Sequence, residues 1–295
     1  MLRIGFIGAG TVGTALASRL HSSRYNVAAV ASRTFSSAQR LAESVPGCRA
    51  MSNLQDAADA TDLIFITTPD AAIGQVAAKV SWHRGMSVVH CSGADSTEVL
   101  TPARASGAQV GAFHPLQTFA SVQQAIDNLP GSTFAVEAEE PLKSILKRMA
   151  EDLQGYSIEL KASDKVIYHA SAVMACNYFV TLVKLSTDLW QTFGVSRRDA
   201  VRALLPLLKG TLNNIENVGI PNCLTGPIAR GDSGTIRKHL MALDESAPHV
   251  AKIYRELGLE TVPISRDKGK IDDATALDMR RLLEDGRLVS DPGQT

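Results

Sequence analysis

The sequence predicts an α/β fold: a doubly wound, mostly parallel sheet followed by an all-helical C-terminal domain. Three observations lead there. Short β-rich apolar runs alternate with helical patterns as far as about residue 160, and this repeating order favours a parallel sheet. The runs are apolar on both faces, which suits strands covered by helices on either side. Beyond residue 160 the strand-like runs stop. The expected boundaries are 1–160 for the sheet domain, 161–290 for the helical domain and 291–295 for a tail.

Taken in order, the expected strands are LRIGFI (2–7), NVAAVA (26–31), DLIFIT (62–67), MSVVHC (86–91), QVGAF (109–113), STFAVE (132–137) and YSIEL (156–160). Helix-like segments between them include 11–20, 71–80 and 139–153. Residues 163–194 read as one long helix, with Ser163 or Asp164 as N-cap and Gly194 as its stop. At the usual rise its length is ~45 Å. Helical patterns follow at 197–217, 233–245, 247–258 and 272–285. The glycine- and proline-bearing segment 219–232 reads as an ordered loop, capped by Asp232 or Ser233, and LVSDPGQT after Arg287 as a loose tail.

Composition narrows the function. Thirty basic residues balance thirty acidic ones with no run of like charge, so the cationic footprint of a nucleic-acid binder is absent and a small-molecule partner fits better. Cys48, Cys91, Cys176 and Cys223 lie far apart, with no metal-ligand spacing, and read as buried thiols of a reducing compartment. No targeting segment and no uncharged apolar span of membrane length is expected, which points to a cytoplasmic protein with no membrane partner.

The first helix-like segment is preceded by Gly8-Ala9-Gly10-Thr11-Val12-Gly13. A G-x-G-x-x-G pattern gains meaning from context, and here it joins a strand to a helix inside a βαβ unit. Gly8 makes the tight turn, Gly10 lets backbone approach a pyrophosphate, and Gly13 lets the helix pack closely on the strand. The helix N-terminus then faces the phosphates. The second strand ends in Ser32-Arg33-Thr34, and no Asp or Glu occurs from Asn26 to Ala42. An arginine with neighbouring hydroxyls suits a 2′-phosphate, so NADP is favoured over NAD. Thr67, Thr68 and Pro69 at one strand end, and Ser92 and Gly93 at the next, are expected beside the ribose and nicotinamide; Asp70 reads as a helix cap.

Candidates for the chemistry lie further on. His114 stands just past an expected strand end and before Pro115, where it could protonate a developing alkoxide or amine, with Gln117 and Thr118 nearby. On the long helix Lys165, His169 and Asn177 recur at i, i+4 and i+12 among Ala170, Val173 and Met174, and polar groups on such a face must be bonded or line a cavity. A cleft between the two domains would provide one.

With GFIGAGTVG and Ser32-Arg33 in place, the chain resembles the 6-phosphogluconate-dehydrogenase-like superfamily of NADP-binding proteins, in which a Rossmann-type domain precedes a helical domain that often dimerises. It also resembles pyrroline-5-carboxylate reductases and coenzyme-deazaflavin-dependent NADP oxidoreductases. HCSGA (90–94), GAFHPLQTF (111–119), YHASAVMACN (168–177) and LTGPIARGD (224–232) are similar to Rossmann-like proteins whose helical half is a domain of unknown function. The resemblance implies an NADP(H)-dependent oxidoreductase acting on a small C=O or C=N substrate between the domains. Alternatives are a non-catalytic NADP-binding sensor and a reductase using a deazaflavin carrier. Relatives acting on ketopantoate or 3-hydroxy acids carry a lysine and asparagines at i, i+4, i+8, where this chain has His169, Val173 and Asn177. The apolar helix 163–194 suggests burial beyond one subunit, hence a homodimer.

Overall fold

The computed structural model describes residues 2–285. The expected tail at 291–295, the end of the helical domain after residue 285 and the LVSDPGQT segment lie outside the described residues. Among the described residues, eight strands form one sheet: β1 (Arg3–Ile7), β2 (Asn26–Ala31), β3 (Arg49–Met51), β4 (Leu63–Ile66), β5 (Ser87–His90), β6 (Gln109–Leu116), β7 (Thr133–Ala138) and β8 (Tyr156–Glu159). Their spatial order is β3-β2-β1-β4-β5-β6-β7-β8. Every neighbouring pair is parallel except β6 and β7, which run antiparallel. The sheet is thus mostly parallel and doubly wound, with its order reversing between β1 and β4.

Helices α1 (Thr11–Ser22), α2 (Phe35–Ser44), α3 (Leu54–Asp59), α4 (Asp70–Lys79), α5 (Thr101–Ala105), α6 (Val122–Asn128) and α7 (Leu142–Asp152) connect and cover the strands. The central strands are buried on both faces because helices lie on both: β4, LIFI, is fully buried throughout. One face carries a file of phenylalanines across β1, β4, β6 and β7. Phe6 stacks on Phe65 with centroids 5.4 Å apart, Phe65 lies 6.0 Å from Phe113, and Phe113 stacks on Phe134 at 4.6 Å.

The sequence reading missed β3, whose three residues are too short to show a period. It also stopped β6 at Phe113. The strand runs on to Leu116 because β7 pairs with it along that stretch, His114 opposite Ala135 and Pro115 opposite Phe134. His114 therefore lies inside a strand rather than just past one.

The long helical run spans Ala162–Gln191 in three registers. A 3₁₀ turn (162–164) leads into α8 (Lys165–Ala172), a π-helical turn follows at Val173–Asn177, and α9 is Tyr178–Gln191. Asp164 does not cap as expected: its carboxylate reaches back to accept the N–H of Lys161 at 3.1 Å. Residues 166–183 carry no Asp, Glu, Lys or Arg, contrary to the expected lack of such a span. This is the one helix among the described residues long and apolar enough to cross a membrane, with a mean hydropathy of 1.5 over its 18-residue window.

The chain separates into two compact units, Met1–Tyr178 and from Phe179 onward. The second holds α10 (Arg197–Val218), α11 (Ser233–Ser246), α12 (Pro248–Asp267) and α13 (Asp273–Asp285). Its core gathers Ile236, Leu240, Val262, Met279 and Leu283. α12 continues well past the expected stop near Gly258, and at Gly258 a Cβ would lie 2.8 Å from Leu283, so the glycine sets how closely α12 and α13 approach. The 219–232 loop is held internally. Lys268 Nζ donates to the carbonyls of Asn222 and Leu224, Ser265 Oγ to that of Ile228, and Asp232 caps α11 by accepting from Thr235 N–H at 2.9 Å. The four cysteines are free thiols, but Cys176 is exposed and Cys48, Cys91 and Cys223 are half-buried, where buried thiols were expected.

Candidate active site

The corner between β1 and α1 is built by contact rather than by turn propensity alone. Gly8 has φ +116°, and a Cβ there would lie 2.7 Å from the carbonyl carbon of Thr67. A Cβ on Gly13 would strike the carbonyl oxygen of Gly8 and lie 2.5 Å from Thr67 Oγ1. Thr67 Oγ1 donates to Gly8 O at 2.7 Å, tying the end of β4 to the turn. Gly10 faces open space, and as the N-cap of α1 it contributes no side chain, while the first turn of α1 holds no acid. The first amides of α1 therefore open onto a cavity, which is the geometry for a bound anion.

That cavity has a volume of about 630 Å³ and sits at the carboxyl ends of β1, β2, β3 and β4, where the sheet order reverses. Gly8, Ala9 and Gly10 line it on one side, Ser32, Arg33, Thr34 and Ser37 on the second, and Thr67, Thr68 and Pro69 on the third. Thr11, Val12 and Gly13 form the first turn of α1 behind that corner. No carboxylate lines the cavity among the described residues. Thr68 Oγ1 is buried with no hydrogen-bond partner, an acceptor and donor left over for a ligand. The sequence reading missed Ser52, Asn53, Gln75 and Lys79, which line the same cavity. The first two follow β3, so recognising that short strand would have found them; Gln75 and Lys79 are one helical turn apart on α4.

A second cluster gathers at the ends of β5 and β6, against α8. Register places His90, the last residue of β5, beside Ala112, so β6 overhangs the sheet edge and carries His114 beyond it. Tyr168 hydroxyl and His114 Nδ1 are 2.8 Å apart. The rings of His114 and His169 meet edge to face at 5.9 Å. Gly93 lies between them: a Cβ there would be 2.6 Å from His169 Nδ1 and 2.8 Å from His114 Nε2. His169 Nδ1 is buried and without a partner. Burial, then the charge of Lys165 and then the neighbouring His169, push the pKa of His114 down to about 4.

Lys165 is almost wholly buried. Its Nζ donates to Ser92 O at 3.1 Å and lies 3.9 Å from Glu137, and burial lowers its pKa while Glu137 opposes that change. Glu137 in turn accepts from the hydroxyl and the N–H of Thr97. Ser92 is buried, donates to Asp70 at 2.8 Å and accepts from Asp95 N–H. Asp70 is the first residue of α4 rather than its cap; its carboxylate anchors the Ser92 loop.

On α8 Lys165 is buried and Tyr168, His169 and Ala172 are half-buried, as is Val173 just after it, while Ala170 and Met174 are exposed. Asn177 is also exposed, two turns and ~12 Å beyond His169. The structure therefore brings together His114, His169 and Lys165, and does not bring Asn177 to them. Gln117 donates to Asn128 O and Ser132 Oγ, which turns its amide into a brace for the loop after β6, and Thr118 N–H bonds Gln117.

Residues 1–115 match a Rossmann-like domain, and residues 132–261 match DUF2520, a domain of unknown function. The chain joins a Rossmann-like domain to a DUF2520 domain. No curated protein matches the sequence. Among solved structures, a Bacteroides fragilis protein provisionally named an NADP oxidoreductase is similar at 25% identity and TM-score 0.69, covering 92% of this chain and 98% of that one. A pyrroline-5-carboxylate reductase of Streptococcus pyogenes shares the fold at 17% identity and TM-score 0.63, over 95% and 99% of the two chains. So does a reductive aminase of Aspergillus terreus, solved with NADPH, at 17% and 0.61, over 96% and 93%. His114 falls within the Rossmann-like match and Lys165, Tyr168 and His169 within the DUF2520 match, yet all four lie in the first compact unit.

Proposed function

We propose that this chain is an NADP(H)-dependent oxidoreductase that reduces, or in reverse forms, a small C=O or C=N group. The observation that carries the reading is the carboxylate-free cavity with Gly10 open and Arg33 on its wall, at the same sheet edge as the His114 and His169 cluster. The residues fit the cofactor. Gly8, Gly10 and the first amides of α1 would hold the pyrophosphate, Arg33 with Ser32, Thr34 and Ser37 the 2′-phosphate, and the unpartnered Thr68 hydroxyl a sugar or amide group. When bound, the nicotinamide supplies or accepts the hydride. The protein's part is orientation and protons: His114 and His169 would bond the substrate heteroatom in front of Gly93, while Lys165 fixes the Ser92–Gly93 backbone. The similar proteins named as an NADP oxidoreductase and as NADPH-bound support the same cofactor.

The test is a titration with NADPH and NADH, followed by an NADPH-oxidation screen over keto acids, hydroxy acids and cyclic imines. Wild type is expected to bind NADPH more tightly. Arg33→Asp should weaken NADPH at least tenfold relative to NADH, since the lost contact is a charge-assisted phosphate pair. No dinucleotide binding at all would overturn the reading.

A further inference from the structure

A neutral imidazole can give up a proton at one nitrogen only if it gains one at the other. His114 is in that position near neutral pH, because its own pKa has fallen to about 4. The groups that bear on its charge are Lys165 and His169 on α8, with His90 at the end of β5 coupled to it from the sheet side. Glu137, the Cys91 thiol, Asp95 and Asp70 act on Lys165. His114 meets Tyr168 at Nδ1 and aims Nε2 at the space in front of Gly93, the point that His169 Nδ1 also faces.

We propose that the Tyr168 hydroxyl donates to His114 Nδ1, fixes His114 as its Nε2–H tautomer, and forms with it a two-proton relay to the substrate. The relay rests on the NADP(H) reading, with reduced nicotinamide as the reductant. As the substrate oxygen or nitrogen gains its electron pair, the His114 Nε2–H bond breaks and an O–H or N–H bond forms. In concert the Tyr168 O–H bond breaks and Nδ1–H forms. The tyrosinate left behind takes its proton back from His114 Nδ1 as Nε2 gains one from water, which restores the starting tautomer. The direction is downhill, since an alkoxide is a stronger base than tyrosinate even with the pKa of Tyr168 raised by burial to about 12. Tyr168 acts through His114 and is a positioning residue; His114 is the group that meets the substrate.

The experiment is long-range ¹⁵N–¹H correlation NMR of the full chain labelled at histidine, with His114→Asn for assignment and Tyr168→Phe as the test. Wild type should show His114 as a single neutral Nε2–H tautomer from pH 8 down to about 5.5. Tyr168→Phe should give a mixture of tautomers while its NADPH dissociation constant stays within about twofold of wild type. An Nδ1–H tautomer or an imidazolium at pH 7, or an unchanged tautomer in Tyr168→Phe, overturns the relay. The wild-type spectrum decides the tautomer even where the variant fails to fold. An NADPH titration of the same wild-type sample reports separately on the cofactor reading.

Discussion

At Gly93 two histidines face a position where any side chain would stand in their way. Gly93→Ala should therefore push His114 and His169 out of place, lowering turnover by roughly a hundredfold, the scale of a lost general-acid contact, at a stability cost of about 1–3 kcal/mol; steady-state kinetics on any substrate from the screen, with urea unfolding beside them, would check it. His90 and His114 also govern the acid limb of stability. Burial first, then the charge of Lys165, pushes His90 to about 3 and His114 to about 4. Both folded-state values lie below that of an unfolded histidine, so the unfolded chain binds more protons in this range and stability rises with pH. It is complete above about pH 6.5 and is lost as pH falls toward 4, each histidine withdrawing about 1.4 kcal/mol for every pH unit crossed below its unfolded value. Thermal melts from pH 7 to 4.5 should show that decline, and His90→Asn should flatten it. The glycines, Arg33 and the two histidines were legible because each breaks a local pattern. Gly93 was legible only as a neighbour, since what makes it a constriction is contact with residues more than twenty positions away. Tyr168 passed as one more apolar helix residue for the same reason.

Elements were read well where their period is long and their burial two-sided. β2 and the start of α10 match the sequence reading to the residue, while β3 went unseen and α2, α3, α5 and α6 are not among the helices it names, being short or mixed in composition. The long helix was seen as one object, but its change of register at Val173–Asn177 leaves no mark in a pattern of alanines and valines. Close helix contact is set by single residues at this scale. Gly258→Ala would bring a methyl to 2.8 Å from Leu283, so the second unit should lose about 1–3 kcal/mol, measured by urea unfolding, with NADPH binding little changed.

For the molecule as a whole, the unexplained surface is apolar. In the second unit Val180, Leu207, Leu212 and Val218 are each more than half exposed, on α9 and α10. We propose that a second copy of the chain covers them, and light scattering at micromolar concentration should give a dimer mass. Leu207→Glu with Leu212→Glu should give a monomer, whereas a monomeric wild type would contradict the proposal. The sheet has the opposite character, since its hydrogen bonds run unbroken from β3 to β8. His114 stands on a cantilever, the part of β6 that outreaches β5, and antiparallel β7 is its brace, paired with it rung by rung past the histidine. Mechanically this makes the imidazole a fixed tool rather than a swinging one. The amide hydrogens of β6 around His114 that point to β7 should then exchange more slowly than those that point to the β5 side, and a substrate must come to the histidine in the one orientation its mounting allows.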